Sequence, residues 1–205
     1  MDPLGKLFGS QARVKILRLF LLNPLEAFDV AMVAEKSKVS TTEARRELAL
    51  LKSVGIVSTK AFTKEITTKN KDAKPKRKRA SGFLLKSASS LLSALKNLVV
   101  SEMPLRRDEI ASRFKTAGKI KFLAISGVFI DEPEARVDVL IVGDDLKKRT
   151  IESVLRSIEA EIGKELSYGA LETQEFLYRV SVYDKFVRDV LDFRHDRIID
   201  KLGVE

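Results

Sequence analysis

Residues 40–57 read STTEARRELALLKSVGIV, and the fold of the first half of the chain turns on this stretch. Ser40 stands where a helix cap belongs, with Glu43 three residues on, so the hydroxyl can accept from a first-turn amide while the carboxylate reaches back to the serine's own amide. Ala44, Leu48 and Leu51 follow at i, i+4 and i+7 and predict one buried stripe. Thr41, Thr42, Arg45, Arg46, Ala49 and Lys52 are thereby turned outward. Gly55 ends the helix, and GIVSTKAFTKEI beyond it is rich in the β-branched and aromatic residues of a strand.

Working outward towards the N-terminus, FDVAMVAEKSK predicts a short helix with Val30, Val33 and Ala34 inward, separated from the capped helix by a tight KVS turn. GSQARVKILRLFLLNP predicts another, capped by Ser10, apolar through Val14, Ile16, Leu17, Leu19, Phe20, Leu21 and Leu22, and stopped at Asn23-Pro24. Two short helices and a tight turn make a helix-turn-helix candidate. On the C-terminal side, ASGFLLK resumes apolar character after KDAKPKRKR, which predicts a two-stranded hairpin with a long polar tip. Between Lys60 and Arg79 that tip carries nine cations against Glu65 and Asp72, a net +7.

The order of these elements, with ELALLKSVGIV running into a hairpin, resembles the winged-helix transcription regulators over about residues 8–86. The resemblance implies that the third helix lies in the DNA major groove and that the hairpin is the wing. Arg45 and Arg46 are then candidates for paired bonds to guanine, Thr41 and Thr42 for thymine methyl contacts, and Lys52 for the flank. Lys74, Lys76, Arg77, Lys78 and Arg79 are candidates for phosphate contacts. The alternative for the same residues is an ordinary amphipathic helix followed by a solvated basic loop.

Charge supports a polyanionic partner. The chain of 205 residues has a formal net charge of +9, but residues 1–100 hold 20 Lys and Arg against 8 Asp and Glu, while residues 101–205 hold 18 against 21. The positive charge thus belongs to the first half, and double-stranded DNA is the expected partner. The length suits two small domains. There is no cysteine, which excludes disulfides and thiolate chemistry, and no apolar run reaches the roughly 18 residues of a membrane span. Charges interrupt the apolar positions of the first 22 residues, so no signal peptide is expected and a cytoplasmic protein is.

SASSLLSALKNLVVSEM predicts a connecting helix capped by Ser89 or Ser90, with Leu91, Leu92, Leu95, Leu98 and Val99 on one face. That is more apolar surface than one wing covers, and a homodimer contact is expected there. PLRRDEIASRFKTAG predicts a helix from Pro104 to Gly118. KIKFLAISGVFI, ARVDVLIVG and ELSYGALE predict three strands, with a long helix, LKKRTIESVLRSIEAEIG, between the second and third.

These last elements resemble the minimal nucleotidyltransferase domain of the polymerase β superfamily over about residues 105–203. In that family one strand ends in Gly-Ser, the next carries Asp-x-Asp and a third adds a carboxylate. The segment starting at ALETQEF looks like the family's usual sequel. Gly127 matches the glycine, but Val128 stands at the serine position, Arg136 at the first carboxylate and only Asp138 at the second. The third strand offers Ser167 or Tyr168. Two-metal phosphoryl transfer needs carboxylates on both ions, so the resemblance implies a fold whose catalysis has been lost, with no catalytic residue, no metal and no cofactor. Asp131, Glu132 and Glu134 cluster in a turn that solvent suffices to explain, and His195 is the lone histidine.

The reading is therefore an α+β protein of two domains. A winged helix-turn-helix occupies residues 1–86, a connecting helix 87–103, and a nucleotidyltransferase-like domain 104–205 that senses an unidentified small molecule or holds a dimer. Two other readings stay open. One is an active nucleotidyltransferase that uses Asp138 with Glu134 or Glu165, and the other is an antitoxin-like interaction protein.

Overall fold

Side chains that satisfy orphan amides set the helix starts in the first half. In the computed structural model, which describes residues 3–66, 76–88, 90–100 and 105–204, a short α1 (Pro3–Leu7) precedes α2 (Gln11–Leu22). Ser10 Oγ accepts from the Arg13 amide at 3.1 Å, and Asn23 folds back on the Leu19 carbonyl at 2.7 Å where the helix stops. Asp29 caps α3 (Val30–Ser37) by accepting from the Met32 amide at 2.8 Å. Lys38, in the left-handed region at φ 49°, ends it. Ser40 and Glu43 form the reciprocal capping box of α4 (Thr41–Ser53).

Beyond Gly55 the chain enters β1 (Val57–Ile66), which pairs antiparallel with β2 (Lys76–Leu85) from Val57 opposite Leu85 to Ile66 opposite Lys76. The ladder is longer than expected. Lys76 to Arg79 belong to a strand, not to a polar tip, because Thr63–Ile66 supply backbone partners for them. Lys69, Lys71 and Lys74 lie outside the described residues. Phe28 adds a single antiparallel bridge to Phe83, with amide-to-carbonyl distances of 2.9 and 2.8 Å. Gly82 permits this close approach, since a Cβ there would stand 2.6 Å from the Phe28 carbonyl oxygen and 2.7 Å from the Phe62 ring.

The three helices bury Val14, Leu17, Phe20, Val33, Ala44, Leu48 and Leu51 against Phe28 and Leu85, with Phe20 and Phe28 edge to face at 5.6 Å. Among the described residues the connecting helix is α5 (Leu92–Val100). Ser89 lies outside the described residues. Val99 is buried and Leu92 and Leu95 are partly so, whereas Leu91 and Leu98 face outward at 52% and 45% exposure. Buried Arg18 ties α2 to this helix, its Nε donating to the Val99 carbonyl at 2.9 Å.

The chain divides into two compact units, Met1–Glu102 with Glu159–Lys164, and Met103–Ile158 with Glu165–Glu205. The second opens with α6 (Arg107–Arg113) and a 3-10 turn (Phe114–Thr116), where a single helix from Pro104 to Gly118 was expected. Pro104 lies outside the described residues. Next come β3 (Lys119–Ile125), a 3-10 turn (Gly127–Phe129) that cuts the expected long strand short, and β4 (Val139–Asp144). Then follow α7 (Lys148–Ile162), β5 (Tyr168–Glu172), α8 (Thr173–Ser181) and α9 (Lys185–Leu191). A fourth strand, β6 (Asp196–Asp200), was not expected from the sequence.

The sheet order is β5-β4-β3-β6. β4 and β5 are parallel, and α7 supplies the crossover that such a pair requires. β3 runs antiparallel to β4 and to β6. Phe122, Leu140, Val142 and Leu171 from the strands pack on Phe176, Val187 and Val190 from α8 and α9, with Phe122 and Phe176 stacked at 5.6 Å. Among the described residues the protein is thus mixed α+β, with nine α-helices and sheets of two and four strands. No helix among them is long and apolar enough to cross a membrane.

Candidate functional site

The exposed face of α4 gathers most of the polar residues singled out in the first unit. Thr41, Thr42, Arg45, Arg46, Ala49 and Lys52 are all exposed, while Ala44, Leu48 and Leu51 on the opposite face are buried. Ser40 Oγ accepts from the Glu43 amide at 3.1 Å and the Ser40 amide donates to Glu43 at 2.9 Å. The Ser40 hydroxyl and amide, helped by nearby Arg46, hold the Glu43 carboxyl below its ordinary range. The capping box therefore fixes where the helix starts, with Thr41 and Thr42 exposed in its first turn.

Glu47 was missed by sequence reasoning and organises this surface from beneath. Its side chain is 1% exposed, accepts from Arg13 Nε at 2.8 Å and from Ser10 Oγ at 2.9 Å, and takes Arg46 at 3.2 Å. Burial pushes the Glu47 carboxyl up, but the bonds from Arg13, Ser10 and Arg46 outweigh it and hold the pKa below the ordinary value. The signal was present, since Glu47 falls beside Ala44, Leu48 and Leu51 on the apolar stripe, where a carboxylate must find partners.

The consequence separates two arginines that look equivalent in the sequence. Both arginines are exposed, but Arg46 bonds Glu47 at 3.2 Å, whereas Arg45 has no acidic partner among the described residues. Lys60 and Arg79 are exposed on the hairpin, with Arg79 opposite Thr63. Lys76, Arg77 and Lys78 continue the same strand, opposite Ile66, Glu65 and Lys64.

In the second unit the sheet end beyond β3 brings together Gly127, Val128, Asp138 and Ser167. Asp138 precedes β4 instead of lying within it. Its carboxylate accepts from the Val128 amide at 2.8 Å on Oδ1, and from the Ser167 amide at 2.8 Å and hydroxyl at 2.7 Å on Oδ2. The Asp138 amide donates back to the Ser167 carbonyl at 2.8 Å. Gly127, at φ 55°, lies so close that a Cβ would stand 2.1 Å from Asp138 Oδ1. Ser126 Oγ donates to the Val137 carbonyl.

Both carboxylate oxygens of Asp138 thus accept hydrogen bonds that fasten the 3-10 turn and the start of β5, which leaves at most one of its roughly four lone-pair sites for any other partner. Arg136 is exposed, and a cation at that position opposes a dication. Among the described residues no group of three or more His, Asp or Glu side chains is arranged to hold a metal ion. Asp131, exposed at φ 56°, and Glu134 are turn residues. His195 bonds locally, its Nδ1 to the Phe193 carbonyl at 2.8 Å and its Nε2 to Arg197 at 3.2 Å.

Compared with known proteins, the chain matches no family model, no curated protein and no solved structure.

Proposed function

We propose that the protein is a cytoplasmic DNA-binding transcription regulator. In this reading the first unit is a winged helix-turn-helix, and the second is a nucleotidyltransferase-like domain without catalytic activity that serves sensing or homodimerisation. The observation that carries the reading is the exposed face of α4, where Thr41, Thr42, Arg45 and Lys52 stand on a capped helix beside a hairpin whose charge is strongly positive. Arg45 reads base edges because nothing internal competes for its guanidinium. Arg46, held by Glu47, contributes orientation and phosphate contact. Lys76, Arg77, Lys78 and Arg79 bind phosphates irrespective of sequence.

The capture of Asp138 by three donors argues against the reading as an active nucleotidyltransferase. Selection of genomic fragments by the purified chain tests the proposal. An inverted repeat should be recovered, which would fit a homodimer on two half-sites. Arg45→Ala should narrow the preference for that sequence over random duplex by about 1–3 kcal/mol and leave the salt slope nearly unchanged. Recovery of no enriched duplex, or label transfer from nucleoside triphosphates with Mg²⁺ that Asp138→Ala abolishes, would overturn it.

A further inference from the structure

At the start of β3, the end of the strand remote from Asp138, a groove of about 500 Å³ opens between the turn after α6, β3 and the end of β6. Four lysines line it, Lys115, Lys119, Lys121 and Lys201, and buried Ile120 and half-buried Ile199 supply apolar lining. Residues 101–205 carry more acid than base, so four cations on one concavity are a local excess and no reflection of a basic domain.

The backbone is arranged to bring them together. Ile120 pairs with Gly143 and Phe122 with Val142, so Lys121 is the extra residue of a bulge, a device that redirects a side chain. The Lys201 amide donates to the Lys121 carbonyl at 2.9 Å, which sets the two lysines side by side across strands. Gly118 turns the chain into β3 at φ 143°.

Two of the four are already neutralised. Lys119 bonds Asp145 at 2.9 Å and Lys121 bonds Asp144 at 2.8 Å. Lys115 and Lys201 are exposed and have no carboxylate partner among the described residues. Two lysines without a carboxylate partner therefore share the groove with apolar lining.

We propose that this groove binds a phosphate-bearing small molecule of nucleotide size, its phosphate held by Lys115 and Lys201 and its flat body laid on Ile120 and Ile199. The volume lies within the roughly 300–1,000 Å³ of small-ligand sites, which likewise combine apolar lining with a few placed charges. A duplex backbone fits less well, because it offers separated monoanions and no apolar body for the isoleucines. The site depends on nothing in the first unit, so its failure would leave the DNA-binding reading untouched.

The test is a titration of the ¹⁵N-labelled full chain with ADP, read by amide shifts. Saturable shifts are expected at Lys115, Ile120, Lys121 and Lys201. The double variant Lys115→Gln/Lys201→Gln changes two exposed side chains and should keep the rest of the spectrum while weakening ADP by about tenfold or more, since bonds to charged groups are commonly worth a decade each. Inorganic phosphate should move the same amides with lower affinity. Several outcomes would overturn the proposal: no saturation by about 10 mM ADP, a free energy too weak for a specific site; shifts centred on Gly127–Asp138; ADP binding unchanged in the double variant; phosphate binding as tightly as ADP; or movement of these amides by duplex DNA but not by ADP.

Discussion

Replacing Glu47 with alanine removes the acceptor shared by Ser10, Arg13 and Arg46. The magnitude follows from how each donor is left. Arg46 is 69% exposed and rehydrates, so its share is near zero. Arg13 is 29% exposed and keeps its bond to the Phe8 carbonyl at 2.7 Å, which holds the loss below the roughly 3–5 kcal/mol of a fully buried broken pair. Adding the Ser10 bond gives an expected destabilisation of about 2–3 kcal/mol.

The two units need not unfold together, so the assay is amide exchange at Ala44, Leu48 and Leu51 in α4, whose protection should fall by about thirty- to a hundred-and-sixtyfold for that loss. A pH series adds a sign. The folded pKa of Glu47 lies below its ordinary value of 4.5, so its stabilisation is fully present above that value and is lost as pH falls through the folded pKa. The gap between wild type and Glu47→Gln should therefore be constant near neutrality and close under strongly acidic conditions. A cost below about 0.5 kcal/mol, the level of an ordinary surface change, or a gap that widens in acid, would refute the claim that Glu47 fastens α4 to α2.

Gly82→Val should destabilise the first unit by more than about 1–3 kcal/mol, because the side chain must enter space held by the Phe28 carbonyl and the Phe62 ring; thermal unfolding followed by circular dichroism reads it. Asp138→Asn should cost about 1–3 kcal/mol in the second unit, measured by urea unfolding, because an amide nitrogen must face one of the N–H donors that the carboxylate now accepts from. Replacing Lys76, Arg77, Lys78 and Arg79 with alanine should lower the slope of log affinity against log salt by up to about four units on any duplex, at about 0.9 for each phosphate that is no longer neutralised. An unchanged slope would return the run to a solvated role.

Local chemistry made the first half legible. The Ser10 and Ser40 caps, the Asn23 stop and the Ala44, Leu48 and Leu51 stripe are each decided by residues within a turn or two, and the structure has them where periodicity predicts. What depended on pairing across the chain was not legible. DRIID gives no strand reading from the sequence alone, and it becomes β6 because β3 offers it an edge. Lys76–Arg79 read as loop because charge dominates the run, yet their backbone needs only the partner groups of Thr63–Ile66 to extend the ladder. α1 is too short for periodicity to reveal.

Charged residues show the same division more sharply, because a side chain's type fixes its charge while its neighbours fix what the charge does. Asp138 is the one residue that matches the Asp-x-Asp pattern of the proposed resemblance, and as sequence it counts as a candidate metal ligand. With the Val128 amide and both Ser167 donors on its oxygens it is instead a fastener between the turn after β3 and the start of β5. Gly127, which the resemblance casts as a phosphate-facing glycine, here gives room to Asp138 itself. The loss of catalysis proposed for this domain is therefore not only a matter of the missing partner at Arg136. An aspartate there would place a second carboxylate beside one that already accepts three hydrogen bonds, so Arg136→Asp alone should produce no Mg²⁺ binding that calorimetry can read, because Mg²⁺ demands near-octahedral oxygen geometry and dehydrates reluctantly.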